Sequence, residues 1–217
     1  MKRLVTAWYL EMHGRADLRP ARPTQLAFTL ARAEAPCPDL NRFLYAAVGA
    51  QWWWHTRRVW DHEQWLAYLD RPDLETWVAY VAGTPAGYFE LERQQTGAVQ
   101  IQYFGLLPEF IGHGLGGALL TAAVERAWDL GATRVWVHTC DLDHPQALKN
   151  YTARGFRLYR TVQDLEDLPD EPLQPEPGAN AALGLVPDES LRAATATNPP
   201  SHHDDREHQH GPGDRGR

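Results

Sequence analysis

The segment LLPEFIGHGLGGALL (106–120) constrains this chain more than any other. Gly112, Gly114 and Gly116 alternate and Gly117 follows, just where a strand-like run gives way to the amphipathic run GHGLGGALLTAAVERAWDLG (112–131). Glycine lets backbone N–H groups crowd toward a ligand without Cβ clashes. A helix N-terminus adds unsatisfied donors and partial positive charge, so the pairing predicts an anion site sized for a pyrophosphate. The alternative reading is a glycine-rich helix start packed closely on a strand.

Two nucleotide motifs compete for this segment. Gly112-x-Gly114-x-x-Gly117 matches the dinucleotide fingerprint, which belongs in a βαβ unit with an acidic residue about 20 positions on. Here the preceding strand belongs to a meander, Pro108 interrupts strand and turn, and Arg134 stands near the acidic position. No G-x4-G-K-[ST] sequence occurs, which rules out a P-loop.

The rest of the pattern supplies the frame. VTAWYLEM (5–12) alternates as a first strand, and 13–40, with Pro20, Pro23, Pro36 and Pro38, reads as loop around a short helix. Residues 41–60 carry apolar residues at helical spacing interrupted by Gly49, and 61–70 read as a helix capped by Asp61. TWVAYVAGTPAGYFELERQQTGAVQIQYFGLL gives a three-strand antiparallel meander, with turns at Gly83-Thr84-Pro85 and Gln94–Gly97. After the glycine turn and its helix come a strand (133–140), a helix (144–155) with Pro145 in its first turn and Gly155 as its stop, and a closing strand (156–165). The order predicts a mixed α+β (α/β) domain with both parallel and antiparallel pairs.

Charge divides the chain. Residues 1–160 hold 17 basic and 16 acidic side chains, whereas 161–217 hold 4 and 12. Tyr159 is the last aromatic, and half of the 16 prolines lie between Pro169 and Pro212. Such a segment cannot bury enough apolar area to offset its ordering entropy, so 168–217 is predicted to be a disordered acidic tail, with a transient helix at most in ANAALGLVPDESLRAA, and 1–167 the folded domain. His202, His203, His208 and His210 match no zinc spacing, and no metal is expected. Cys37 and Cys140 are the only cysteines, which excludes a disulfide framework and suits a reduced, cytoplasmic setting. No run of 18 apolar residues predicts a membrane span, and the N-terminus lacks the apolar region of a secretory signal. The near-neutral domain lacks a basic cluster, which disfavours nucleic acid.

FGLLPEFIGHGLGGALL, ATRVWVHTC and ALKNYTARGF, taken in order, resemble the GCN5-related N-acetyltransferases. The family pattern is a strand, a Pro, [Q/R]-x-x-G-x-[G/A], a helix, a strand, and then A-x-x-x-Y-x-x-x-G-F, present here as Ala147, Tyr151, Gly155 and Phe156. The resemblance covers roughly 40–165. It implies a twisted, mostly antiparallel sheet, flanked by helices and splayed between its fourth and fifth strands, with acetyl-CoA as co-substrate in the gap. Pantetheine would pair with Gly105, Leu106 and Leu107. The pyrophosphate would sit on Ile111, Gly112, His113, Gly114, Leu115, Gly116 and Gly117, with a polarising backbone N–H near Leu106. There are departures. Ile111 stands where the family has Gln or Arg, and His144 where it often has Asn; for Asp143 and His144 helix capping is the competing reading.

The resemblance makes Tyr151 the acid that protonates the CoA thiolate, against the reading of a core aromatic packed beside Phe156. Glu90 is a candidate base, against a solvated strand residue or proton loss through water; Gln100 and Gln102 occupy positions where some relatives carry Glu. Cys140 reads as inert packing. Of the Trp52-Trp53-Trp54-His55 cluster, with Trp60 and Trp65, at least one ring is expected to face the cleft. An aromatic wall would suit a cationic amine, and Arg57 and Arg58 a carboxylate-bearing one. The activity so implied is acetyl transfer to a primary amine of a small molecule or protein. A different acyl-CoA, a CoA-binding regulatory module without turnover, and a homodimer are alternatives left open.

Overall fold

The computed structural model describes residues 1–170, so the expectations for the tail from 171 onward, its histidines and its helix lie outside the described residues. Strands β1 (Lys2–Met12), β2 (Thr29–Arg32), β3 (Leu74–Val81), β4 (Thr84–Arg93), β5 (Ala98–Leu106), β6 (Arg134–Cys140) and β7 (Arg157–Asp167) form one sheet in the order β2-β3-β4-β5-β6-β1-β7. Among the described residues only β5 and β6 run parallel, and four helices flank the sheet, α1 (Pro38–Gly49), α2 (His62–Leu69), α3 (Leu115–Asp129) and α4 (Ala147–Ala153). The mixed, mostly antiparallel class expected from the sequence is the one observed.

The central fact of the sheet is where pairing stops. β5 and β6 are in register from Ala98–Arg134 to Ile101–Val137 and then part. At the same point β5 carries an extra residue against β4: Tyr103 faces Glu90 and Ile101 faces Leu91, leaving Gln102 over. A bulge bends its strand and raises the local twist. Here it turns residues 102–106 away from β6 while they stay paired to β4 as far as Leu106–Gly87. The strands called fourth and fifth from the sequence are β5 and β6, because the sequence reading missed β2.

The core sits between the sheet and α3. Leu119, Leu120, Ala123, Val124 and Ala127 of α3 meet Leu10, Val99, Ile101, Val135 and Val137, all buried. On the other face α1 sends Leu44 and Val48 onto Val78 and Tyr88. Leu168 is buried with Val5 and Leu142, so the packed chain extends one residue past the boundary drawn from sequence.

Several local expectations need correction. Residues 13–40 hold a 3-10 turn (Arg15–Asp17) and edge strand β2 rather than a short α-helix. The helix placed over 41–60 starts earlier, at Pro38, and ends at Gly49. Ala50–Trp52 form a 3-10 turn and Trp53 is left-handed at φ 61°, so the three consecutive tryptophans are not helical. The cause is Trp54, whose ring folds back over Gly49 into the space a Cβ would need. The first hairpin turns at Ala82 and Gly83, both at positive φ, and Thr84-Pro85 already belong to β4. Helix α4 begins at Ala147, leaving Pro145 ahead of it. Asp61 caps α2 as expected, and Gln64 completes a capping box with it.

Gly155 stops α4 at φ 102°, with the Asp17 carbonyl oxygen occupying its Cβ position. Gly155→Ala is therefore expected to cost at least the 1–3 kcal/mol typical of backbone strain, read as a lower urea midpoint at unchanged m-value.

Candidate active site

Beyond Ile101 and Val137 the two parting strands enclose a cleft of about 900 Å³. One wall is β5 (Gln102–Leu106), and the other is β6 (Val137, His138, Cys140) with the turn Leu142–His144. The glycine turn and the loop between α1 and α2 (Trp52–Thr56) also line it, and α4 contributes Asn150 and Tyr151.

The glycine turn is built as an anion cradle. Gly112 and Gly114 hold φ of 93° and 78°, a region where side chains are strained. Gly114 caps α3 without a side-chain hydrogen bond, so the first-turn N–H groups keep no local acceptor. Thr24 Oγ1 donates to the His113 carbonyl (3.2 Å), and Asn150 Nδ2 to that of Gly116 (3.3 Å), fixing the turn against α4. A Cβ at Gly117 would lie 2.6 Å from an Arg154 guanidinium nitrogen, which places a cation beside the cradle. Arg154 carries no specific sequence signal and was missed; one helical turn past Asn150, it lies on the same face of α4.

Not every expected residue meets the cleft. Tyr151, Gly105, Leu106, Ile111, Gly112, Gly114, Gly116, Gly117 and His144 line it. Leu115 sends its side chain into the core, leaving only its backbone toward the turn. His113 lines the neighbouring pocket made with Ala21–Leu26. The Leu107 N–H donates to the Ala86 carbonyl (2.9 Å), so it is not free for a ligand.

Tyr151 is 6% exposed and packs edge-on against Phe104 and Phe156, and its hydroxyl has no hydrogen-bond partner among the described residues. Burial, with Asp143 adding to it, pushes its phenol well above the ordinary tyrosine range, so it carries a proton at any physiological pH. Asp143 does not cap α4. Its Oδ2 accepts from Thr139 Oγ1 (2.7 Å) and the Cys140 N–H (3.0 Å), and its Oδ1 from Trp54 Nε1 (3.4 Å) across the cleft. His144 Nδ1 accepts from the Gln146 N–H (3.0 Å), and its ring meets Trp52 edge-on at 4.9 Å. The α1–α2 loop thus leans on the β6–α4 turn through Trp52 and Trp54. Burial raises the Cys140 thiol to about 12, in keeping with inert packing.

Glu90 is not a solvated strand residue: it is 1% exposed and outside the cleft lining. Its carboxylate accepts from Arg57 Nη1 (3.1 Å), Tyr68 OH (2.6 Å) and Asn41 Nδ2 (3.0 Å). Arg57 is buried too, stacked on Tyr68 (3.8 Å to the centroid), Tyr103 (4.3 Å) and Trp60 (4.8 Å). The aromatic wall of the cleft is Tyr45, Trp52, Trp53, Trp54 and Tyr103, whereas Trp60 and Trp65 pack behind it.

The sequence profile of the acetyltransferase (GNAT) family matches residues 38–156, more than half the chain. The chain belongs to this family. As a GNAT protein it is 29% identical over 171 residues to the mycothiol acetyltransferase of Corynebacterium aurimucosum, an alignment spanning 69% of this chain and 56% of that one. The chain thus spans about half the length of that curated relative. Among solved structures, a GCN5-related N-acetyltransferase from Kribbella flavida aligns at TM-score 0.54 and 19% identity, over 76% of this chain and 60% of the other. One from Sphaerobacter thermophilus aligns at 0.54 and 16%, over 80% and 55%. At these identities the two structures show the GNAT fold alone. No helix among the described residues is long and apolar enough to cross a membrane.

Proposed function

We propose that this GNAT protein transfers an acetyl group from acetyl-CoA to a primary amine by direct attack within the β5–β6 cleft. The observation that carries this reading is the Tyr151 hydroxyl, without a hydrogen-bond partner among the described residues, lining the same cleft as an uncapped glycine turn. The cradle residues suit a pyrophosphate: the N–H groups of Gly112–Gly117 would bind it, and Arg154 adds charge. The freed β5 edge at Gly105 and Leu106 would pair with the amide-bearing pantetheine arm, and a backbone N–H near Leu106 would polarise the acetyl oxygen.

Tyr151 then donates its proton to the leaving thiolate. A neutral phenol at that position prevents a free thiolate from forming in an apolar pocket, which would otherwise raise the barrier. The aromatic wall at Tyr45, Trp54 and Tyr103 excludes water from the acceptor side and favours an amine carried on an apolar or aromatic body. Glu90, with three donors on its carboxylate, holds Arg57 and through it the loop bearing that wall.

Thiol release from acetyl-CoA over a panel of amines tests the reading: phenethylamine, spermidine, an aminoglycoside, a free amino acid and the substrate of mycothiol acetyltransferase. Turnover with at least one supports it, whereas CoA binding without turnover would leave a binding module. Gly116→Glu places a carboxylate in the first turn of α3, where only ordinary contacts surround the Cβ. It is expected to weaken acetyl-CoA binding at least tenfold by titration, with little change in thermal stability.

A further inference from the structure

We propose that His138 is the general base that takes the proton from the acceptor amine. This rests on the acetyl-transfer reading above. Val135 and Val137 of β6 point into the core against α3, so by strand alternation Trp136 and His138 point to the opposite face. Tyr151 enters the cleft from the α3–α4 side. His138 is the first residue of β6 past Val137, the last position paired with β5, and it lines the cleft from the other face while still paired with Tyr9 of β1. A carbonyl seated in the gap therefore has an acid on one side and an imidazole on the other. Direct transfer can use both groups, one to take the amine's proton and one to protonate the leaving thiolate.

The surroundings keep the imidazole neutral and available. Its ring stacks on Tyr9 (5.7 Å) and near Trp136 (6.4 Å) and has no hydrogen-bond partner among the described residues. The charged and titratable groups around it are Tyr9 and Arg160 in its row across β1 and β7, Cys140 on β6, Asp143 on the following turn, and Tyr103 on the facing β5 wall. The residue itself is exposed, yet the desolvating effect of the neighbours packed on its ring lowers its pKa below the ordinary histidine range, only partly opposed by Asp143. The other bases of the cleft are less suited. Glu90 lies outside the cleft lining, Asp143 has both oxygens engaged, the accepting nitrogen of His144 is taken by the Gln146 N–H, and Glu166, which does line the cleft, is an exposed carboxylate on the edge strand β7. His55 sits on the α1–α2 loop, tied through Nδ1 to the Trp53 carbonyl.

The proton count closes. His138 takes one proton from the bound ammonium, freeing its lone pair. The nitrogen attacks the thioester carbon, the C–N bond forms and the C–S bond breaks. Tyr151 gives its proton to the sulfur, and the phenolate recovers one from the new amide nitrogen. His138 releases its proton to solvent, so one proton appears per turnover.

The test uses the full chain and the best amine of the panel. His138→Gln is expected to lower kcat about 100-fold at pH 7 with acetyl-CoA binding unchanged by titration. It should also abolish the acid limb of the kcat–pH profile, whose wild-type midpoint lies below the usual histidine value. Added imidazole should restore much of the rate to His138→Ala, and a variant that failed to fold could not be rescued so. Wild-type kcat and an intact acid limb in His138→Gln overturn the proposal, as does a limb that follows His55→Gln instead. A wild-type chain that binds acetyl-CoA and acetylates no amine overturns the transfer reading itself and the proposal with it.

Discussion

Tyr151→Phe is expected to lower kcat by 100-fold or more while leaving acetyl-CoA affinity within a factor of two or three. The substitution removes one oxygen from a ring that is otherwise packed between Phe104 and Phe156. That oxygen has no protein partner among the described residues, so its loss leaves no orphaned group and costs little stability. What disappears is the proton for the leaving sulfur, and general acids of this kind contribute about 10²–10⁴. Two measurements check it: single-turnover thiol release, and thermal stability with and without acetyl-CoA. A donor ester with a more acidic thiol should recover most of the loss, because a better leaving group needs less protonation. Wild-type kcat in Tyr151→Phe would return the residue to the role of a core aromatic.

The proposed cofactor half of the site is written more locally in the sequence than the proposed acceptor half, and the reason is physical. Backbone N–H groups at a helix start need glycine at set positions, and that need is written locally at Gly112–Gly117. The Ala147–Phe156 pattern is local as well, since Tyr151 and Gly155 lie on adjacent turns of one short helix and its stop. The acceptor wall gathers Tyr45 from α1, Trp54 from an irregular loop and Tyr103 from β5. Nothing in the separate segments announces that meeting. Trp52–Trp54 misled for the same reason. Their apolar character suits a helix, and only the long-range fit of Trp54 over Gly49 ends α1 before them. Edge strand β2 escaped because four residues flanked by prolines give little alternation to count. His138 was readable as a strand residue, but its value depends on where β6 loses its partner, and no local signal reports that.

Glu90 reads differently with its neighbours in view, and Glu90→Ala is expected to be strongly destabilising. A strand residue between Phe89 and Leu91 looks half-solvated by alternation, yet its carboxylate is buried under α1 and α2. Truncating it leaves the Arg57 guanidinium inside a cage of Tyr68, Tyr103 and Trp60, away from water and without its counter-charge. Breaking one side of such a pair costs about 3–5 kcal/mol, and urea denaturation read by tryptophan fluorescence would register it. Replacing both members, as Arg57→Met with Glu90→Leu, should return much of the stability, because the desolvation cost of both charges goes with them. Kinetics separate this role from that of a base. Arg57 sits beside Tyr103 and next to Thr56, both lining the cleft, so loosening the pair should raise the acceptor KM. Glu90→Gln keeps one acceptor oxygen, which can serve Tyr68 and Arg57 while the Asn41 donor loses its partner, and its kcat is expected to stay close to wild type with the acid limb intact. A hundredfold loss of kcat in Glu90→Gln, at unchanged KM and with the acid limb gone, would instead make Glu90 the base and remove His138 from that role.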